Sequence, residues 1–212
     1  MRKIRRREEP QALTPAEVGR LVELARSRGD EAMALLIRLL YESGARISEA
    51  LSLRPCDIVP PRAEDIGAWA VLPNLKRKRR PGEKHPTKRV VITAELAREL
   101  LEFARLRGVR PDGPVFASPR SPGVPLSRQA AWAKLKDICA LAGVSRVGRD
   151  GRLKPAWPHT LRHGAAVRLV MSGVPVPVVQ GQLGHASLQT TQRYFELTEE
   201  ERLKLLAEAL AQ

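Results

Sequence analysis

The stretch that most restricts what this chain can fold into is Lys76 to Arg89. It carries Lys76, Arg77, Lys78, Arg79, Arg80, Lys84, Lys88 and Arg89 against a single acid, Glu83. Such a run cannot enter a core as a whole, because each unpaired buried charge is strongly unfavourable. On either side stand short β-rich runs, residues 68–72 (Ala-Trp-Ala-Val-Leu) and 89–92 (Arg-Val-Val-Ile). Two apolar strands flanking a segment that cannot be buried read as an antiparallel hairpin with a long basic tip. A lone hairpin is marginal in water, so the remainder must supply an apolar support.

That remainder reads as helical. Thr14-Pro15-Ala16-Glu17 offers an N-cap, a proline at the first helical position and a capping-box glutamate, followed by Val18, Leu21, Val22, Leu24 and Ala25 at helical spacing. A second helix is predicted after Asp30, with Met33, Leu36, Ile37 and Leu40 inward, ending near Gly44. A third, short one spans residues 47–53 before Pro55. After Thr93 the pattern is helical throughout: 94–107, then 128–142 between Ser127 and Gly143, 159–171 closed by Gly173, segments around 176–183 and 188–195, and a last helix from the capping box Thr198 to Glu201 on to Ala211. The expected class is mainly α with a small antiparallel β-hairpin or sheet, the hairpin being the only clear sheet signal. Five of the first seven residues are basic, so 1–12 read as a flexible arm and 13–212 as the folded domain.

At 212 residues and 43% hydrophobic content the chain can bury a core without disulfide staples. The 37 Lys and Arg against 23 Asp and Glu leave a net charge of +14, an excess that serves a polyanion, nucleic acid first. No run approaches the roughly 18 apolar residues of a membrane helix, and the basic N-terminus has no apolar segment behind it. Cys56 and Cys139 stand far apart with no partner at metal-ligand spacing, which fits a reducing cytoplasm and gives a zinc or disulfide framework no support.

Four segments carry candidate chemistry. In Pro158-His159-Thr160-Leu161-Arg162-His163, His159 and Arg162 lie at i and i+3 on one face of a helix start. A guanidinium fork binds phosphate oxygens while an imidazole exchanges a proton, so the pair makes a phosphate site. Ser43-Gly44-Ala45-Arg46 puts an arginine after a glycine turn, with Glu49 three residues on. Leu183-Gly184-His185 adds a histidine at a glycine-closed helix end, and Tyr194 follows in Thr190-Thr191-Gln192-Arg193-Tyr194-Phe195.

In this order and with these separations, the four segments resemble the tyrosine recombinase (phage integrase-like) family across residues 13–200. The resemblance implies a catalytic domain in which Arg46 and Arg162 bind the scissile phosphate and Glu49 stands behind Arg46. His159, His185 and Lys76 complete the site, and Tyr194 is the nucleophile. Lys78, Lys84 and Lys88 remain open as substitutes for Lys76. Arg77, Lys78, Arg79, Arg80, Lys84 and Lys88 are expected to neutralise DNA phosphates from the hairpin. The implied function is site-specific recombination of double-stranded DNA through a 3′-phosphotyrosyl intermediate, with no cofactor, neither metal nor ATP, and with self-association on DNA through the C-terminal segment. Members of the family resemble a two-domain clamp, and this chain opens where the linker to the catalytic half would lie. Two rivals are a type IB topoisomerase-like nicking and rejoining enzyme and a non-catalytic DNA-binding accessory. Outside the motifs, Tyr41, Trp69, Trp132 and Trp157 are expected at the core or its edge, Cys56 and Cys139 as buried hydrophobes, His163 as a packed helix residue and His85 as exposed.

Overall fold

The computed structural model describes residues 12–75, 86–147 and 152–184. The arm, the hairpin tip with His85, and the expected helices beyond residue 184 lie outside them. Helix α1 (Pro15–Ser27) starts as expected: the Thr14 hydroxyl accepts from the Glu17 amide, and Glu17 accepts from the Thr14 amide at 2.9 Å. Glu17 also receives both terminal nitrogens of Arg146, which binds the start of the helix to a later hairpin. Helix α2 (Glu31–Ser43) begins at Asp30 and buries Met33, Ala34, Leu35, Leu36, Ile37, Leu39, Leu40 and Tyr41. A helix apolar on nearly every side must be central, and α1, α4 and α6 all pack on it.

Gly44 ends α2 in the left-handed region at φ 60°, and a Cβ there would sit 2.3 Å from Leu183 Cδ2. Only glycine meets both demands. The turn feeds α3 (Ile47–Leu51), which is shorter than the 47–53 expected. Strands β1 (Gly67–Pro73) and β2 (Thr87–Thr93) pair antiparallel, with Trp69 opposite Val91 and Leu72 opposite Lys88. Their inner face carries Ala68, Ala70, Leu72, Val90 and Ile92 into the core. Helix α4 (Ala94–Leu106) follows directly, its Leu96 amide donating to the hydroxyl of Thr93 as N-cap.

The hairpin is not the only sheet. Strands β3 (Ala117–Ser118) and β4 (Ser121–Pro125) form a second pair, and β5 (Ser145–Val147) and β6 (Leu153–Pro155) a third. Runs of two to five residues, one of them Ser-Pro-Gly-Val-Pro, hold too little alternation to register as strands. Between them lies α5 (Arg128–Leu141), and β6 leads into α6 (Pro158–Met171) and α7 (Val176–Leu183). The Gln182 side chain fastens α7 to the free edge of β2, accepting from the Val91 amide at 2.8 Å and donating to its carbonyl at 2.6 Å.

Tyr41 and Cys139 are buried as expected, but Trp69 and Trp132 are 43% and 52% exposed, and Cys56 is exposed in a 3-10 turn. Trp69 falls on the outer face of β1, where the Arg89 guanidinium lies 4.5 Å from its ring centroid. In α6, a Cβ at Gly164 would come within 2.5 Å of the Leu13 carbonyl oxygen and 2.8 Å of Tyr41 Cε2. Gly164→Ala should therefore destabilise by about 1–3 kcal/mol in urea unfolding, overpacking outweighing helix propensity. Gly19→Ala in α1, with nothing within 4 Å of the new methyl, should instead stabilise by up to about 1 kcal/mol.

Candidate active site

Arg46 is the N-cap of α3 and is bound to its own helix: its amide donates to Glu49 Oε2 at 3.0 Å and its Nη1 to Glu49 Oε1 at 2.7 Å. Glu49 has no solvent exposure, whereas the Arg46 side chain keeps 31% of its surface open. The carboxylate is thus spent inward and the guanidinium remains partly available. Arg162, in the first turns of α6, is 2% exposed, donating Nη1 to the Gly44 carbonyl and Nη2 to the Leu183 carbonyl at 2.9 Å. Both acceptors lie at helix C-termini, where the macrodipole favours a cation.

A third cation completes the cluster. Lys88 Nζ stands 3.0 Å from Glu49 Oε2 and donates to the Leu183 carbonyl at 3.2 Å. This corrects the expectation that Lys88 serves the basic tip: it is buried in β2, on the same side of the strand as Val90 and Ile92. The alternation Lys88, Val90, Ile92 was the available signal, masked by the charge density around it. Lys76, Arg77, Lys78, Arg79, Arg80, Lys84, His185 and Tyr194 lie outside the described residues. Among the predicted site residues that are described, Arg46, Glu49, His159 and Arg162 come together, joined by Lys88.

The electrostatics follow from this crowding. Burial pushes the Glu49 carboxyl up, but the Lys88 charge and the hydrogen bonds from Arg46 and Lys88 outweigh it, so Glu49 is held below its usual range and ionised. Burial depresses the Lys88 ammonium, Arg162 and Arg46 add to that, and Glu49 opposes them. Arg46 and Lys88 pair with Glu49, and Arg162 stands close enough to Lys88 to oppose its charge. His159, at the start of α6, is pushed below its ordinary value by the surrounding protein and by Arg162 and Arg46. Because its ring still reaches solvent, the two guanidiniums are the firmer cause. His163, half-buried, is driven to about 4 by burial and by His159.

A cavity of about 800 Å³ lies elsewhere, lined by Met33, Phe103, Phe116, Arg107 and Lys134. The site instead gathers buried Lys88 and Arg162 and the partly exposed Arg46, with the exposed His159 beside them. The comparisons with known proteins agree in class. The pattern of the phage integrase family matches residues 11–201, and the chain belongs to this family. Tyrosine recombinase XerD of Corynebacterium glutamicum is 38% identical over 168 residues, covering 77% of this chain and 47% of that protein. XerD of Mycobacterium leprae is 35% identical over 199 residues, covering 89% and 57%. The chain thus spans about half the length of these curated relatives. In fold it is similar to the XerH site-specific recombinase in its post-cleavage complex with palindromic difH substrate (TM-score 0.71, 23% identity, 96% of this chain and 54% of that one). XerA recombinase is comparable (TM-score 0.70, 24% identity, 93% and 64%).

NMR titration of the free protein should place the His159 midpoint below 6.5 and that of His163 near 4. A His159 midpoint above 6.5 would contradict the placement beside two guanidiniums. Unfolding releases His163 to take up a proton near its ordinary value, while the folded protein resists until about 4. Its contribution to stability should thus be intact above about pH 6.5 and decline as pH falls from there towards 4. A His163→Gln variant should show a shallower decline in thermal scans.

Proposed function

We propose that the chain acts in the cytoplasm as the catalytic domain of a site-specific DNA recombinase, residues 13–212 forming that domain and 1–12 a basic arm. The observation that carries this reading is the gathering of Arg46, Lys88 and Arg162 near buried Glu49, with His159 beside the two guanidiniums and held below its ordinary value by burial and by them. The names of its relatives and the DNA-bound state of the XerH neighbour support the same substrate class. No helix among the described residues is long and apolar enough to cross a membrane.

In this reading Arg46 and Arg162 bind the non-bridging oxygens of a scissile phosphate. A phenol with pKa near 10 is a weak nucleophile at neutral pH, so cancelling the phosphate charge and removing the phenolic proton are both required. Tyr194 Oη attacks phosphorus, its proton passing to His159. The bond from phosphorus to the 5′-oxygen breaks, and Lys76 supplies the proton that this oxygen needs. His185 donates a hydrogen bond to the phosphorane. The bond count is conserved in the 3′-phosphotyrosyl product, so a 5′-hydroxyl reverses the step without ATP. Every charge is borne by a side chain, and the reaction calls for no metal. The C-terminal segment, with its Thr198 to Glu201 capping box, serves self-association on DNA.

A nicked suicide duplex should trap a covalent protein–DNA adduct, in EDTA as well as in magnesium. Tyr194→Phe should abolish it with DNA affinity nearly unchanged, and Arg46→Ala or Arg162→Ala should each slow it about a hundredfold or more. Sulfur in place of the 5′-oxygen, a leaving group that barely needs protonation, should rescue Lys76→Ala. An adduct from Tyr194→Phe would overturn the nucleophile. Relaxation of plasmids lacking any particular site would assign the chain to topoisomerase-like chemistry, and absence of any adduct to a non-catalytic role.

A further inference from the structure

The proposed reaction uses two guanidiniums, Lys76, two histidines and a tyrosine, and leaves Lys88 without a task. Yet a lysine on the inward face of a strand is costly unless its ammonium is fixed by partners. Lys88 has two, and each is also the support of an arginine. Glu49, 3.0 Å from Nζ, holds the Arg46 guanidinium at 2.7 Å and its amide at 3.0 Å. The Leu183 carbonyl, 3.2 Å from Nζ, holds Arg162 Nη2 at 2.9 Å. Lys88 thus spans from the anchor of one guanidinium to the anchor of the other.

The backbone is shaped around this lysine. Gly184 closes α7 at φ 68°, and a Cβ there would lie 2.8 Å from Lys88 Cδ and 3.4 Å from Nζ, so the chain turns directly over the stem. A compact ammonium can donate in two directions from a narrow stem. A planar guanidinium fork would need more width beneath Gly184.

The geometry points to Lys88 as a positioning residue that sets the separation of Arg46 and Arg162 by tying the Glu49 carboxylate to the Leu183 carbonyl. Its consequence for cleavage rests on the recombinase reading, while the tie itself does not. With its ammonium engaged on both anchors, Lys88 is not the proton donor to the leaving oxygen. Misplacing a catalytic group by about 1 Å can cost on the order of a hundredfold, so loosening this strut should be felt in rate rather than in DNA binding.

Lys88→Met keeps most of the stem and removes the charge. Single-turnover cleavage of a nicked suicide duplex should fall about tenfold to a hundredfold, with the Kd for intact duplex changed less than about twofold. A 5′-bridging sulfur should not restore the rate. If Lys88 acts through the arginine anchors, adding Lys88→Met to Arg162→Ala should slow cleavage by less than about threefold beyond Arg162→Ala alone. In the free protein, hydrogen exchange at the end of α7 should quicken while the β1–β2 amides stay protected. Unchanged cleavage, rescue by sulfur, full multiplication with Arg162→Ala or unchanged α7 protection would each overturn the proposal. A wild-type protein that forms no adduct overturns the recombinase reading alone, and the exchange measurement then decides the tie. Should Lys88→Met fail to fold, Lys88→Met with Glu49→Gln removes both charges of the pair. That double variant should match Glu49→Gln alone in α7 exchange and in cleavage, and a large further loss would overturn the proposal.

Discussion

Everything else in this site depends on one buried carboxylate. Glu49 has no exposure, and an ion in that position is tolerated only when its oxygens are filled by charged donors. Arg46 takes Oε1 with its guanidinium and Oε2 with its amide, and Lys88 takes Oε2 as well. Both carboxylate oxygens are thus occupied. Arg162 stands near the same group, donating to two backbone carbonyls. Removing one partner of a buried pair typically costs about 3–5 kcal/mol, so the cluster is more easily broken than trimmed.

The carbonyls that hold Arg162 come from the ends of α2 and α7, and this explains why the fold brings four remote stretches to one place. A helix C-terminus exposes acceptors and carries about half a negative charge, a partial counter-ion that a buried guanidinium can use. Gly44 and Gly184 make those ends available by turning the chain away in the left-handed region. Leu183 packs against Gly44, so the two ends meet. Gln182 fastens α7 to β2 and also donates to the Glu42 carbonyl of α2. The hairpin that delivers Lys88 and the helix end that receives it are therefore held by the same three elements.

Much of this was legible in the sequence, for reasons that differ by residue. The capping box at Thr14, the turn at Gly44 and the β1–β2 pairing rest on local chemistry, and each stands in the structure. The i, i+3 spacing of His159 and Arg162, and of Arg46 and Glu49, likewise survives because helical geometry alone sets it. The short hairpins at Ala117–Pro125 and Ser145–Pro155 were missed because pairing between so few residues is decided by tertiary contacts rather than by alternation. Trp69 was misplaced by the habit of burying aromatics, although its phase between Ala68 and Ala70 already put it on the outer face. Lys88 shows the reverse error: its residue type assigned it to the tip, while its phase with Val90 assigned it to the core. Period outranked residue type in both cases, because in a strand the backbone decides the face before the side chain can choose.

The ratio of three cations to one carboxylate is itself informative. Three cations alone in a partly desolvated corner would repel one another and splay, losing the fixed geometry on which charge stabilisation depends. One carboxylate, closed to solvent and paired with both Arg46 and Lys88, reduces their repulsion. Beside it, His159 is held below its ordinary value by burial and by Arg162 and Arg46. A single buried anion thereby acts on both sides of the cluster: it holds the Arg46 guanidinium and the Lys88 ammonium, while Arg46 and Arg162 still disfavour the proton of the neighbouring imidazole.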